Sequence, residues 1–243
     1  MKKSERDQHF LVDEKILDEI VEYGNLKGDD RVLEIGAGAG NLTERLVERS
    51  EKVYAIEIDS RLSDVIKRRC EDAEVINADV LKIEFPEFDK VISNLPYSIS
   101  SKITLKILRS NFKMGILMYQ AEFVKRITAS PGRKEYGRIA VSVQALADVE
   151  VLEDVPREAF DPVPEVRSVL IRLRPKRDFR IEDKDMFLNF VMVLFSNRRK
   201  KIKKTLKALN YDITGLAVDN FLNKRPDELE VSEIVELYEK VSA

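Results

Sequence analysis

Between residues 14 and 24 the apolar positions Ile16, Leu17, Ile20 and Val21 recur at helical intervals, and the segment closes on Gly24. That period predicts a covering helix with one buried face and Gly24 as the residue just past its end. From Arg31 the texture changes to short apolar runs alternating with helical periods: RVLEIG, LTERLVER, KVYAIEID, RLSDVIKRR, AEVINAD, DKVISN, SKITLKILRS and MGILMYQ. Strands alternating with helices predict a parallel sheet wound with right-handed crossovers. After a helix at about 138–147, DVEVLEDV and RSVLIRLRP follow with no helix between them, so the last strand is expected to run antiparallel. The pattern thus predicts an α/β fold with a seven-stranded, mostly parallel sheet. The alternation ends near Pro175, Lys176 and Arg177, where a purely helical tail begins. The predicted domains are residues 1–176 and a small all-α domain over residues 177–243.

Composition narrows the partners. The 243 residues are 44% hydrophobic and 35% charged with a formal net charge of −2, so attraction for nucleic acid has to come from local clusters. Cys70 is the one cysteine and His9 the one histidine, which excludes an internal disulfide and argues against a Cys/His metal site. A reducing, cytoplasmic setting fits, and no metal is expected. The opening MKKSERDQHF has no apolar segment behind it, and the longest apolar run is FVMVLF at 190–195, so neither a secretory signal nor a membrane span is expected. Scarce Gln, no Trp and abundant Lys, Arg and Glu lean towards a heat-adapted source.

The first strand delivers EIGAGAG, residues 34–40, into a helix for which Asn41 is the expected N-cap. Glycines at 36, 38 and 40 let the backbone approach a ligand at the carboxyl edge of the sheet, where α/β folds hold cofactors. A dinucleotide fingerprint wants its third glycine at position 41, which is Asn, and an acid precedes the first glycine. The loop instead resembles that of class I S-adenosylmethionine-dependent methyltransferases. Glu57 ends the second strand, where a carboxylate can accept both hydroxyls of a ribose. Asp79 ends the third, where it can accept an adenine amino group, and Asn94 ends the fourth. Four consecutive strand tips therefore carry a ligand-suited group.

The fourth tip reads Asn94-Leu95-Pro96-Tyr97. A turn alone explains Pro96, which fixes its own φ and extends the residue before it. The tetrapeptide also resembles the Asn/Asp-Pro-Pro-Tyr/Phe motif of methyltransferases that act on exocyclic amines. An adenine N6 lone pair is delocalised into its ring, so two acceptors, the Asn94 side-chain oxygen and the Leu95 carbonyl, would hold the amino hydrogens and turn that lone pair towards a methyl donor. Tyr97 would stack on the displaced base, with Pro96 holding carbonyl and ring in place.

Longer segments make the resemblance specific. DQHFLVD, EIGAGAGNLT, IEID, ADVL, SNLPYSISSKI, QAEFVKRITASPGRKEYGRIAVSVQ, FDPVPEVRSVLIRL and NRRKKIKKTLK occur in the order found in the small-subunit ribosomal RNA adenine dimethyltransferases. The match spans nearly the whole chain. It implies transfer of two methyls from S-adenosylmethionine to N6 of each of two adjacent adenines near the 3′ end of that RNA, on an immature small subunit, by a monomer. By resemblance His9, Leu11, Gly36, Gly38, Glu57, Ile58, Asp79, Val80 and Asn94 line the cofactor pocket, and Phe160 faces Tyr97 across the base. Many bacterial members have Asn at the position of His9, which suggests an archaeal or eukaryote-like lineage.

Arg198, Arg199, Lys200, Lys201, Lys203, Lys204 and Lys207 form an acid-free run that, as one helix, would present a positive face to RNA phosphates. Arg133, Lys134 and Arg138 mark a second basic loop. Three rivals remain: a large-subunit rRNA methyltransferase of the macrolide-resistance type, a catalytically silent RNA-binding assembly factor, and, least favoured, a nicotinamide oxidoreductase.

Overall fold

The structure, a computed structural model, describes residues 9–176, 178–179, 181–208 and 219–242. Asp7 and Gln8 of the amino-terminal motif, and the expected boundary residue Arg177, lie outside these. The chain divides into two compact units, one of Met1–Val124 with Val149–Pro175, the other of Lys125–Asp148 with Lys176–Ala243. A single cut at 176 is therefore corrected: residues 125–148 belong with the helical tail.

The first unit is built on a seven-stranded sheet whose strands, in chain order, are β2 (Arg31–Ile35), β3 (Lys52–Glu57), β4 (Ala73–Asn77), β5 (Lys90–Asn94), β6 (Met114–Gln120), β7 (Ala147–Val155) and β9 (Ser168–Pro175). Their spatial order is β4-β3-β2-β5-β6-β9-β7. The pairs from β4 to β6 are all parallel and β9 runs antiparallel to β6, as the missing crossover helix predicts. Two further short strands, β1 (Phe10–Leu11) and β8 (Phe160–Asp161), pair antiparallel away from this sheet.

Helix α1 (Glu14–Gly24) starts where the Asp13 carboxylate accepts from the Ile16 N–H at 3.1 Å. It buries Ile16, Leu17, Ile20 and Val21 in a cluster with Val32, Ile92, Ile116 and Met118 of the sheet. The left-handed residue at its end is Asn25 (φ 41°), not Gly24. Gly24 instead packs close against the sheet: a Cβ there would lie 2.7 Å from Ile92 Cδ1, so that side chain would have to shift. Helices α2 (Asn41–Val47), α3 (Ser60–Arg69) and α4 (Ser100–Arg109) complete the crossovers, with α5 (Ala121–Ile127) after β6.

The order of strands reverses between β2 and β5, the position where open α/β sheets bind ligands. The β2–β5 ladder holds Val32 opposite Lys90 and Leu33 opposite Val91. Beyond that register the Ile35 N–H donates to the buried Ser93 hydroxyl (2.8 Å), so a side chain stands in for a ladder bond and the strands part towards their carboxyl ends.

The second unit contains α6 (Arg138–Leu146), α7 (Lys184–Ser196), α8 (Ile202–Ala208), α9 (Asp219–Leu222) and α10 (Val231–Ser242) among the described residues. Phe187, Phe190, Val191, Leu194, Ile202, Leu206, Ile234 and Leu237 form its buried interior. The loop before α6 joins it because the fully buried Tyr136 donates its hydroxyl to Leu229 O (2.9 Å) and Gly132 N–H donates to Asp227 O (2.8 Å).

Candidate active site

The carboxyl ends of β2, β3, β4 and β5 surround a cavity of about 550 Å³ within the first unit. Its floor is the glycine loop, where Gly36, Gly38 and Gly40 all take positive φ (73°, 59° and 88°) that a side chain would strain. Two of them also permit close approaches. A Cβ on Gly36 would lie 3.0 Å from the Pro96 ring, and one on Gly38 would lie 3.0 Å from the Phe10 ring. The glycine loop, the Asn94–Tyr97 turn and the amino-terminal segment are thereby locked together. The N-cap of α2 is Gly40 rather than Asn41. The Asn41 amide instead donates to Leu11 O (2.9 Å) and its oxygen accepts from Arg69 (3.0 Å), tying β1 to the loop.

Glu57 is 5% exposed, not an open strand-end acid. One carboxylate oxygen accepts from the Gly38 N–H and the other from the Asp59 N–H, both at 2.9 Å. A carboxylate offers about four lone-pair sites, so two remain for a ligand. Asp79 Oδ1 accepts from the Leu81 N–H (3.0 Å), and Ile58, 66% exposed, adds an apolar surface to the cavity wall. Behind that wall, Lys106 of α4 donates to Val80 O (2.6 Å) and to Ile83 O, with its ammonium 4.4 Å from the Phe85 ring centre. Burial lowers the Lys106 pKa. Its sequence position, between the buried Ile103 and Ile107, gives no sign of this clamp.

Asn94 carries the sharpest chemical signal. Its Nδ2 donates to His9 O at 3.4 Å, while Oδ1 is buried and accepts nothing from the described residues. A buried acceptor left unmade costs about 1–3 kcal/mol, and the Asn94 residue lines the cavity, so this side chain is suited to accept from a ligand donor. Leu95, Pro96 and Tyr97 line the cavity beside it. The Tyr97 hydroxyl sits 2.5 Å from Ser168 Oγ, and burial raises its pKa. Ser100 Oγ donates to Tyr97 O (2.9 Å), fixing the turn to the start of α4.

His9 and Leu11 also line the cavity. Phe160 does not. It is 2% exposed and belongs to the core cluster with Leu11, Leu17 and Ala159, at the β1–β8 pair. The ring that faces Tyr97 is His9, at 6.5 Å between centroids and 26° between planes.

In the second unit the basic run is not one helix. Arg198 to Lys201 lie between α7 and α8, and only Lys203, Lys204 and Lys207 ride on α8. The Arg198 guanidinium pairs with Asp227 (3.0 Å) and donates to Arg133 O (3.0 Å) and Lys134 O (2.9 Å). Arg198 is thus a staple between the two basic segments rather than a free cation. Arg199, Lys200, Lys201, Lys203, Lys204, Arg133, Lys134 and Arg138 are at least partly exposed. Among the described residues no cluster of His, Cys, Asp and Glu could hold a metal, and no helix is long and apolar enough to cross a membrane.

Known proteins resemble this chain along most of its length. A protein of Methanosarcina acetivorans named "Probable ribosomal RNA small subunit methyltransferase A" is 48% identical over 240 residues, covering 94% of this chain and 89% of its own. One of the same name from Thermococcus sibiricus is 43% identical, covering 92% and 81%. Among solved structures, a dimethyladenosine transferase from Plasmodium falciparum superposes with TM-score 0.81 at 31% identity, over 96% of this chain and 98% of that one. The 23S rRNA methyltransferase ErmE superposes with TM-score 0.72 at 28% identity, over 96% and 100%. The sequence model of the ribosomal RNA adenine dimethylase family matches residues 1–236. With parted strands at the switch point, a glycine loop pressed on Asn94-Leu95-Pro96-Tyr97 and that match along nearly its whole length, the chain belongs to the ribosomal RNA adenine dimethylase family.

Proposed function

We propose that this chain transfers methyl groups from S-adenosylmethionine to N6 of two adjacent adenines near the 3′ end of small-subunit ribosomal RNA, during assembly of that subunit. The observation that carries the reading is Asn94, with a buried, unmatched Oδ1, among the residues lining a cavity floored by the glycine loop. When bound, S-adenosylmethionine supplies an electrophilic methyl on a sulfonium sulfur; the N6 lone pair forms the new N–C bond as the C–S electrons return to sulfur.

The chain's residues hold the reactants. Gly36 and Gly38 give the cofactor close backbone approach, and the remaining lone pairs of Glu57 suit the ribose hydroxyls. Asp79, Val80 and Ile58 receive the adenine, while His9 and Leu11 close the pocket. Asn94 Oδ1 and the Leu95 carbonyl accept the two amino hydrogens of the target base, so nitrogen pyramidalises against dipoles fixed before the reaction. Tyr97 supplies a stacking face for a base taken out of its helix or loop, and Pro96 keeps that face in register. The methylated nitrogen loses its proton to water, so no histidine base is needed.

RNA phosphates dock on the second unit at Arg133, Lys134, Arg138, Arg199, Lys200, Lys201, Lys203 and Lys204. The partner is an immature small subunit, the working state a monomer and the setting cytoplasmic. The small-subunit substrate is supported over the large-subunit one by the higher identity to the archaeal relatives so named than to the 23S enzyme. The Asn94→Ala variant tests the chemistry: single-turnover methylation is expected to fall about a hundredfold or more, far more than either cofactor or subunit affinity. A variant at full rate would sink the mechanism.

A further inference from the structure

We propose that Tyr119 is a positioning residue for methyl transfer, holding the far end of the Asn94–Tyr97 turn through Thr104 and Ser100. The inference rests on the reading above, in which Asn94 Oδ1 and the Leu95 carbonyl accept the amino hydrogens, and assigns what keeps those acceptors in place. Strand β6 secures the turn at three consecutive residues. Met118 stands opposite Asn94 in the parallel ladder with β5, and Gln120 stands opposite Ser168 in the antiparallel ladder with β9. The Ser168 hydroxyl meets the Tyr97 hydroxyl, so that second register serves the ring end of the turn. Between them, Met118 packs into the cluster with α1, and successive strand residues face opposite sides, so Tyr119 faces α4.

Chemistry fixes the direction of each bond that follows. A carbonyl can only accept, so the Thr104 hydroxyl donates to Ser100 O at 2.7 Å. Thr104 has no second hydroxyl proton, so in its 2.7 Å contact with Tyr119 the phenol donates. The Ser100 hydroxyl donates to Tyr97 O at 2.9 Å, beside the Ser100 N–H on the same carbonyl. Tyr119, Thr104 and Ser100 are all buried, and donors aligned in one sense polarise one another. Burial also pushes the Tyr119 pKa up, which keeps the phenol protonated as a donor must be. None of the three residues lines the cavity, so an effect on the reaction has to pass through the turn.

Tyr119→Phe removes one hydroxyl and keeps the ring that sits 4.8 Å from Phe123. Thr104→Val keeps the shape and breaks the chain at its centre, whereas Thr104→Ser keeps the chain. The measurements are the single-turnover rate on immature small subunits with both substrates saturating, the half-saturating S-adenosylmethionine concentration, and the melting midpoint. All use the full chain, with Asn94→Ala alongside. The scale of one hydrogen bond sets the expected loss: Tyr119→Phe and Thr104→Val should each slow the saturated rate about three- to tenfold, while Thr104→Ser stays near wild type. The two losses should not add in the double variant, since both interrupt one chain. If either variant is too unstable to assay, Ser100→Ala breaks the last link and should show the same loss; a wild-type rate there would overturn the proposal. So would Tyr119→Phe at the wild-type rate, two losses that multiply in the double variant, or a raised half-saturating concentration with an unchanged saturated rate. Failure of the underlying reading looks different: Asn94→Ala would then methylate at the full rate.

Discussion

Beneath the glycine loop the Glu34 carboxyl is 2% exposed and accepts from the Thr43 hydroxyl at 2.6 Å. Burial pushes its pKa up to about 8, with the Thr43 bond opposing the shift and Glu57 reinforcing it. The folded pKa lies above the unfolded one, so the stability contributed by neutral Glu34 is intact below about pH 4.5 and is lost as pH rises through about 8. Melting midpoints measured across that window should fall further for wild type than for Glu34→Gln, which cannot ionise; parallel curves would contradict the assignment. Tyr97→Phe keeps the stacking face but strands the Ser168 hydroxyl, which is fully buried. Such a group costs about 1–3 kcal/mol, so this variant should melt earlier while methylation at saturating substrate stays high. Glu57→Ala should weaken S-adenosylmethionine binding in calorimetry and also loosen the loop, because its carboxylate holds the Gly38 and Asp59 amides.

The segment after β4 shows how an element can be placed from behind. Lys106 accounts for two carbonyls of that segment, Val80 O and Ile83 O, and stacks on Phe85. Lys106→Met keeps the stem and loses the donors, so the cavity wall at Val80 should loosen: cofactor affinity is expected to fall several-fold, by the about 1 kcal/mol scale of a lost hydrogen bond or more, without loss of the fold. Calorimetry showing wild-type affinity would remove Lys106 from the site. Glu57 and Asn94 were legible in the sequence because each ends a largely buried strand, whereas β4 before Asp79 has no buried residue and stops at Asn77, two residues short of it. The β1–β8 pair was not, since two residues cannot display a period, and with it went the burial of Phe160 and the approach of His9 to Tyr97. The break between α7 and α8 was hidden for another reason: Arg and Lys are good helix formers, and the helix stops at Ser196 just ahead of Arg198, whose pairing with Asp227 is a tertiary contact no local pattern displays.

At the scale of the whole chain, the cavity lies in one unit and the basic segments in the other, and residues 125–148 join the helical unit through long-range bonds that no local pattern announces. Arg198 staples the loop at Arg133 and Lys134 to the turn before α8, so the two basic segments lie side by side. Replacing Lys200 and Lys201 with Glu should weaken subunit binding and flatten its dependence on log salt by about 0.7–0.9 for each phosphate no longer neutralised, with cofactor affinity unchanged. A retained slope would make the turn a solvated face. The central claim, that this chain dimethylates adenine in small-subunit RNA, is tested most directly by incubating the protein with labelled S-adenosylmethionine and immature small subunits, with large-subunit RNA alongside, and digesting the products to nucleosides. The expected result is label in N6,N6-dimethyladenosine from the small-subunit RNA alone; label in another nucleoside, in large-subunit RNA, or in neither would contradict it.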